Sequence, residues 1–478
     1  MRRTCPNADR VADLAGLWPR ATVLAIAAFV AAAGSSCEQP GSSAESPPDI
    51  VFITLDTLRA DHLGCYGYFR DTSPALDALA AESIVFESCY TPVAQTLPTH
   101  TTIFTGLDPR EHGIASNFAK GSGVFAPSPL VRMFADALLE GGYETAAFVS
   151  AEPVKRESGI ATGFRAWHEP DEYEVGADVT IDRVLEWLES PPAQPYLLWV
   201  HLFDPHLPYA PPTPYDEMFE GDGDAQLSAY FETRGIPETF SRPRDRDKTR
   251  SSRREHDLYD GEIRFVDAQL GRLFDRLRSL DSWGDTAIVL TSDHGEGMNQ
   301  HGAFGHERVW LEQLAVPLVM RIPGRLTERI DSRLSSRDIL PTLIALLPGL
   351  PPSELSLQFS GSDVLSPDWS PTPLYGQTPG LRRDRKGSRF KEAILYEDWR
   401  FVTGIDAPPE LYRLGVDPHE RENVAGEYPD VVERLTEILE DRAAAQDKTR
   451  VQFRAGGTRP VSPERRAGLE SLGYTSEE

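Results

Sequence analysis

The sequence predicts an α/β fold, a mostly parallel sheet flanked by helices with a smaller C-terminal α+β subdomain. Three observations predict it. Short apolar runs rich in β-branched residues, such as Ile50-Val51-Phe52-Ile53-Thr54-Leu55, stop well before helix length, as strands buried on both faces do. Amphipathic helical patterns alternate with these runs, which calls for right-handed crossovers between parallel strands. The runs end in Asp or His: Asp56, Asp204 and His206, Asp293 and His294. Open α/β sheets place their sites beyond such carboxyl ends.

Before the first strand comes a targeting segment. Basic residues precede the Ala-rich run Ala21 to Ala33, which is too short to span a bilayer and ends in Gly34-Ser35-Ser36-Cys37. Residues 1–37 are expected to be an export signal of lipoprotein type, with Cys37 lipidated and holding the protein to a membrane in the periplasm or cell envelope. Gly34 departs from the Leu or Val favoured at that position. Residues 38–48 form a tether rich in Ser, Gly and Pro. Of the remaining cysteines, Cys65 and Cys89 make no disulfide framework.

From Asp49 the pattern is regular. The first strand ends at Asp56. The stretch Thr96-Leu97-Pro98-Thr99-His100 opens a short helix stopped by Gly106; a proline needs no amide hydrogen in a first turn. Thr96 is thereby expected at a helix N-terminus, where free N–H groups and the dipole favour an anion. Ser128 and Pro129 predict the start of a helix with Leu130, Phe134 and Leu138 on one face and Gly141-Gly142 at its end. Thr145 to Val149 reads as a strand, Val179 to Leu188 as a helix, and Tyr196 to Phe203 as a strand. The steps Tyr259, Ile263, Val266, Leu270, Leu273, Leu277 give the plainest helix, which feeds the strands Ala287–Thr291 and Val316–Ile322. Ahead of that helix, residues 213–254 read as a solvated charged loop rather than a basic patch for a polyanion.

Residues 49–370 are accordingly expected to form the catalytic domain, 371–442 the smaller subdomain, and 443–478 a loosely held tail. Within the subdomain Ala393–Gly404 suggests a hairpin and Tyr428–Arg442 a helix. A formal charge of −26 argues against nucleic acid and repels anionic substrates. An anionic ester substrate therefore needs a local cation. Asp56, Thr96, Asp293 and His294 suit a single divalent metal (Ca, Mn, Zn or Mg), with two carboxylates, an imidazole and a hydroxyl oxygen as ligands. Coordination would help ionise the Thr96 hydroxyl, a poor nucleophile unaided.

With those residues assembled, the chain resembles the sulfatase family of the alkaline-phosphatase superfamily from Asp49 to about Gly426. The resemblance rests on Asp56, Leu63-Gly64-Cys65-Tyr66-Gly67, the Thr96–Gly106 block, Phe203-Asp204-Pro205-His206-Leu207-Pro208-Tyr209 and Thr291-Ser292-Asp293-His294-Gly295-Glu296. It continues through His301-Gly302, Val316-Pro317, Glu410-Leu411-Tyr412 and Asp417-Pro418. It implies an α/β domain carrying the site and a C-terminal domain with a short antiparallel sheet.

The departures bear on the reaction. A sulfatase has Cys or Ser, oxidised to formylglycine, where this chain has Thr96; oxidation of Thr would give a ketone. The family's Arg is His100, its Lys–His pair meets Ala147-Phe148-Val149-Ser150, its later Lys is His306, and its second metal-binding Asp is Thr57. A formylglycine hydrate sheds sulfate by eliminating its second hydroxyl, whereas a Thr adduct must be cleaved by water at the central atom. These residues predict an exported, metal-dependent ester hydrolase with Thr96 as nucleophile and a phosphate mono- or diester as favoured substrate. His100, His206 and His306 are its candidate proton carriers or substrate-orienting groups. Sulfate-ester hydrolysis without formylglycine and non-catalytic binding of sulfated or phosphorylated glycans are the alternatives. Asp204, His206 and His306 are a candidate second metal set.

Overall fold

A computed structural model describes residues 47–118, 123–125, 128–193, 195–241, 249–347, 350, 354–380, 390–404, 407–453 and 458–460. The expected export signal and lipidation site fall outside the described residues.

Strand β1 (Asp49–Leu55) is the centre of a nine-stranded sheet. The other strands are β2 (Ile84–Tyr90), β3 (Glu144–Phe148), β4 (Ala166–His168), β5 (Tyr196–Leu202), β6 (Thr286–Ser292), β7 (Ala315–Arg321), β8 (Glu328–Ile330) and β9 (Leu334–Ser335). Their order is β8-β2-β7-β6-β1-β5-β3-β4, with β9 also pairing β2. β7 runs antiparallel to both its neighbours, and the other pairings are parallel. The expected mostly parallel sheet is present.

The continuous apolar runs follow from burial on both faces. Ile50 and Phe52 pack with Leu197, Trp199 and Val289 on one side, while Val51 and Ile53 pack with Leu198, Val200 and Leu290 on the other. Helix α1 (Thr96–Thr105) covers the first side through Leu97, Ile103 and Phe104. The second side is covered by α3 (Ala177–Trp187) and α5 (Ser252–Arg278), the latter through Tyr259, Ile263, Val266 and Leu270.

Differences from expectation are local. Helix α2 (Phe134–Glu140) starts after a turn at Pro129–Leu130, leaving Leu130 exposed, because its N-cap is Met133 rather than Ser128. The charged insertion is not one loop: it contains α4 (Asp224–Arg234), seated by Leu227, Tyr230 and Phe231. Arg253 and Arg254 there pair with Asp224, Glu238 and Glu220, so these two cations are engaged within the protein. The expected basic stretch 242–248 lies outside the described residues.

C-terminally, β10 (Leu374–Gln377), β11 (Lys391–Tyr396), β12 (Trp399–Gly404) and β13 (Ala407–Arg413) form a separate antiparallel sheet. Its apolar face receives Leu435 and Leu439 of α6 (Pro429–Phe453), a helix that outlasts the expected end at Arg442. The Gln377 N–H donates to Pro92 O at 2.8 Å, tying this sheet to the segment that leads into α1.

Candidate active site

Two strand ends and one helix end meet over β1. Asp56 follows β1, Asp293 and His294 follow β6, and Thr96 is the first residue of α1; all are buried. Gln95 is the N-cap, so Pro98 is the third helical residue, still where no amide hydrogen is needed. Asn117 Oδ1 accepts the Leu97 N–H at 2.8 Å, and Gln95 Oε1 accepts the Asn117 N–H at 2.9 Å. These bonds fix the turn that presents Thr96.

Thr96 Oγ1 donates toward Asp56 Oδ2 at 3.4 Å. His294 Nε2 lies 3.7 Å from Asp56 Oδ1 and 3.6 Å from Asp293 Oδ2. His294 Nδ1 must carry its proton, because it bonds the carbonyl of Gly295 at 3.0 Å; Nε2 is then a bare lone pair facing two carboxylates. Asp56 Oδ1, Asp293 Oδ2 and His294 Nε2 have no hydrogen-bond partner despite full burial. Buried polar atoms are ordinarily paired, so three orphans converging on one point fit a bound cation. Ligand atoms of Asp56, Asp293 and His294 lie within 4.8 Å of one another, the spread a single ion can bridge.

Electrostatics agree with that fit. Burial first, then the neighbouring Asp293 and Glu296, holds Asp56 well above the usual carboxylate range. Burial pushes Asp293 up to about 6. Burial holds His294 well below the usual imidazole value, which keeps it neutral as a ligand must be. Asp293 Oδ1 is separately anchored by the N–H groups of Thr57 at 3.2 Å and His294 at 2.7 Å. Thr57 takes a φ of 57°, unusual for a β-branched residue, and its carbonyl accepts from Tyr259 at 2.7 Å.

The other expected residues divide. His100 sits one turn along α1, with Nδ1–H donating to Thr96 O at 2.7 Å and Nε2 bonded to Thr54 Oγ1 at 2.9 Å. Both ring nitrogens serve the protein itself, and burial lowers its pKa. His306 is beside the cluster, its ring 4.5 Å from His294 and its Nδ1 3.4 Å from Glu296 Oε1. Burial alone would lower its pKa, but the Glu296 hydrogen bond and charge raise it overall. His206 stacks 4.4 Å from Phe203 with its ring 5.2 Å from His306. Asp204 is turned elsewhere: its Oδ2 accepts the Ala177 N–H at 2.8 Å, and its carboxyl is hydrogen-bonded to that of Glu262. It does not join His206 and His306 in a metal set among the described residues.

Sequence reasoning missed His201, Glu296 and Ser150. His201 is buried at the end of β5 with Nε2 3.9 Å from Asp56 Oδ2, and Glu296 is fully buried with Oε1 3.4 Å from His306 Nδ1. A histidine within an otherwise apolar run was the available signal for the first.

Residues 48–350 match the family described as Sulfatase. An uncharacterized sulfatase of Escherichia coli, YidJ, is 25% identical over 459 aligned residues, covering 85% of this chain and 89% of that protein. The multifunctional alkaline phosphatase superfamily protein PehA of Trinickia caryophylli is 26% identical over 323 residues, 57% of this chain and 60% of that protein. The solved phosphonate monoester hydrolase of Agrobacterium radiobacter superposes with a TM-score of 0.66 at 22% identity, covering 85% of this chain and 96% of that one.

Proposed function

The chain belongs to the sulfatase family and is an ester-hydrolysing enzyme, and from that premise we propose that it hydrolyses phosphate mono- or diesters with Thr96 as nucleophile on a divalent cation. The observation that carries this reading is the place of Thr96: at the head of α1, 3.4 Å from Asp56 Oδ2, beside three unpaired ligand atoms. Asp56, Asp293, His294 and Thr96 would hold the cation, which supplies Lewis-acid activation of the hydroxyl and the substrate oxyanion. Its charge also opposes the acidic field of the chain.

The residues then do the following. The Thr96 hydroxyl points its hydrogen at Asp56 Oδ2, which takes the proton as Oγ1 attacks phosphorus and returns it when Thr96 is released. The bond from phosphorus to the ester oxygen breaks as the bond to Thr96 Oγ1 forms. His306, kept protonated by Glu296, gives its proton to the departing oxygen. The neutral imidazole then takes a proton from water, which attacks phosphorus and releases Thr96. This second displacement suits phosphorus, and Thr96 lacks the gem-diol route by which a formylglycine sheds sulfate. His100 has a positioning part, bonding the Thr96 carbonyl and β1 together.

The purified chain, tested with added Mn, Zn, Mg or Ca, is expected to cleave an aryl phosphate or bis-aryl phosphate, with Thr96→Ala inactive. Turnover of aryl sulfate alone would overturn the reading, and silence on every substrate would favour glycan binding. We also propose export and lipid attachment at Cys37, from the sequence of residues 1–37; fatty-acid labelling lost in Cys37→Ala is the expected result.

A further inference from the structure

We propose that this chain holds a second divalent cation beside the first, with His201 Nε2 as the ligand that defines it and the two aspartates Asp56 and Asp293 shared between the positions. The proposal rests on the metal-dependent reading above and deepens it. The ligand atoms fall into two sets: Asp56, Asp293 and His294 in one, and His100, His201 and Asp293 in the other, each within 4.8 Å. Asp293 belongs to both.

The tautomer of His201 decides what it offers. Ser150 Oγ has one hydrogen, and it donates to the His201 carbonyl at 2.8 Å. The same oxygen, 3.2 Å from His201 Nδ1, is therefore an acceptor, and the ring proton sits on Nδ1. Nε2 is left as a lone pair facing Asp56 Oδ2 at 3.9 Å, fully buried and without a hydrogen-bond partner. Two acceptors facing each other without a proton between them repel, and a cation removes the conflict. His294 is built the same way, with Nδ1–H on a carbonyl and Nε2 bare toward carboxylates. Ligating histidines are commonly held this way, with the far ring N–H bonded to a protein acceptor. His100 closes the second set but gives its Nδ1 proton to Thr96 O, so His201 is the new donor and His100 its support.

Charge points the same way. Asp56, Asp293 and Glu296 are fully buried together, and among the described residues each has only histidine as an ion-pair partner. Three carboxylates exceed the charge of one divalent ion, before an anionic ester arrives. A second ion turns this excess into attraction for the substrate, and the pair would clamp the attacking and leaving oxygens.

The test is metal stoichiometry of the purified full chain, stripped with chelator, reloaded with Mn²⁺ or Zn²⁺ alone and measured by elemental analysis. Two equivalents are expected for wild type and one for His201→Gln, with thermal melting confirming that the variant folds. Loaded with Mn²⁺, wild type should give the electron-resonance signature of a spin-coupled pair, lost in His201→Gln. One equivalent in wild type, or two in His201→Gln, overturns the proposal. Phosphate-ester turnover with one equivalent bound overturns the second cation and keeps the proposed hydrolysis. Two equivalents without such turnover do the reverse.

Discussion

Asp293→Asn is expected to change sign with metal. In the stripped protein Asp293 is a buried carboxylate close to another, its pKa pushed up to about 6 by burial from an ordinary 3.8. A raised carboxylate pKa means that ionising it costs folding free energy: nothing below 3.8, and the full amount above the folded value. Over this gap, at about 1.4 kcal/mol per pKa unit, the cost near neutral pH is about 3 kcal/mol. Asparagine keeps the Oδ1 that accepts the Thr57 and His294 N–H groups but carries no charge. The variant should therefore melt a few degrees above wild type in EDTA. With saturating divalent cation the order should reverse. Binding to the folded state alone stabilises wild type by about 4 kcal/mol at a thousandfold excess over Kd. The variant offers an amide where the ion needs an anion. Differential scanning calorimetry of both proteins, with chelator and with Mn²⁺, reads the two differences directly. A variant less stable than wild type under both conditions would refute the electrostatic reasoning, because Asp293 would then be an ordinary structural residue.

Three further outcomes follow from the same geometry. Thr57→Gly should stabilise the stripped chain by about 1 kcal/mol in chemical denaturation, since Thr57 holds a φ of 57° and its Oγ1 has no hydrogen-bond partner. The gain from relieved strain exceeds glycine's unfolded-state entropy cost of about 0.5–1 kcal/mol. His301 bonds Glu312 at 2.9 Å and stacks on Trp310, and although burial opposes it, Glu312 raises its pKa above 6.5. Its stabilising charge is fully present below 6.5 and lost as pH rises through the folded value, so the melting deficit of His301→Gln should shrink on going from mildly acidic to mildly alkaline buffer. His306→Gln should slow formation of the phosphoryl-enzyme from esters with poor leaving groups by about 10²–10⁴-fold while sparing that step for activated aryl esters, measured as the pre-steady-state burst rate across a leaving-group series.

Much of the fold was legible because burial on both sheet faces leaves an unmistakable composition in β1, β5 and β6. Asp56, Asp293 and His294 stood out because each breaks an apolar run at its carboxyl end. His201 was hidden by the same logic: it lies within β5, where a residue reads as core and only the neighbouring Ser150 and Asp56 reveal its use. Helix α4 was obscured by charge, although Leu227, Tyr230 and Phe231 keep a helical spacing and form its seat. Ser128-Pro129 carried a start signal that became a turn, because the apolar face of α2 begins only at Phe134. Thr96 was placed correctly at a helix N-terminus, but what surrounds it depends on Asn117, which no local pattern ties to it.

The central claim is that Thr96 carries the reacting group in a covalent intermediate. Acid quenching during turnover of an aryl phosphate, followed by peptide mass spectrometry, tests it most directly. The expected result is a phosphoryl group on Thr96 that disappears on chase with water and never forms in Thr96→Ala. Steady turnover with an unmodified Thr96 peptide, undiminished in Thr96→Ala, would contradict it.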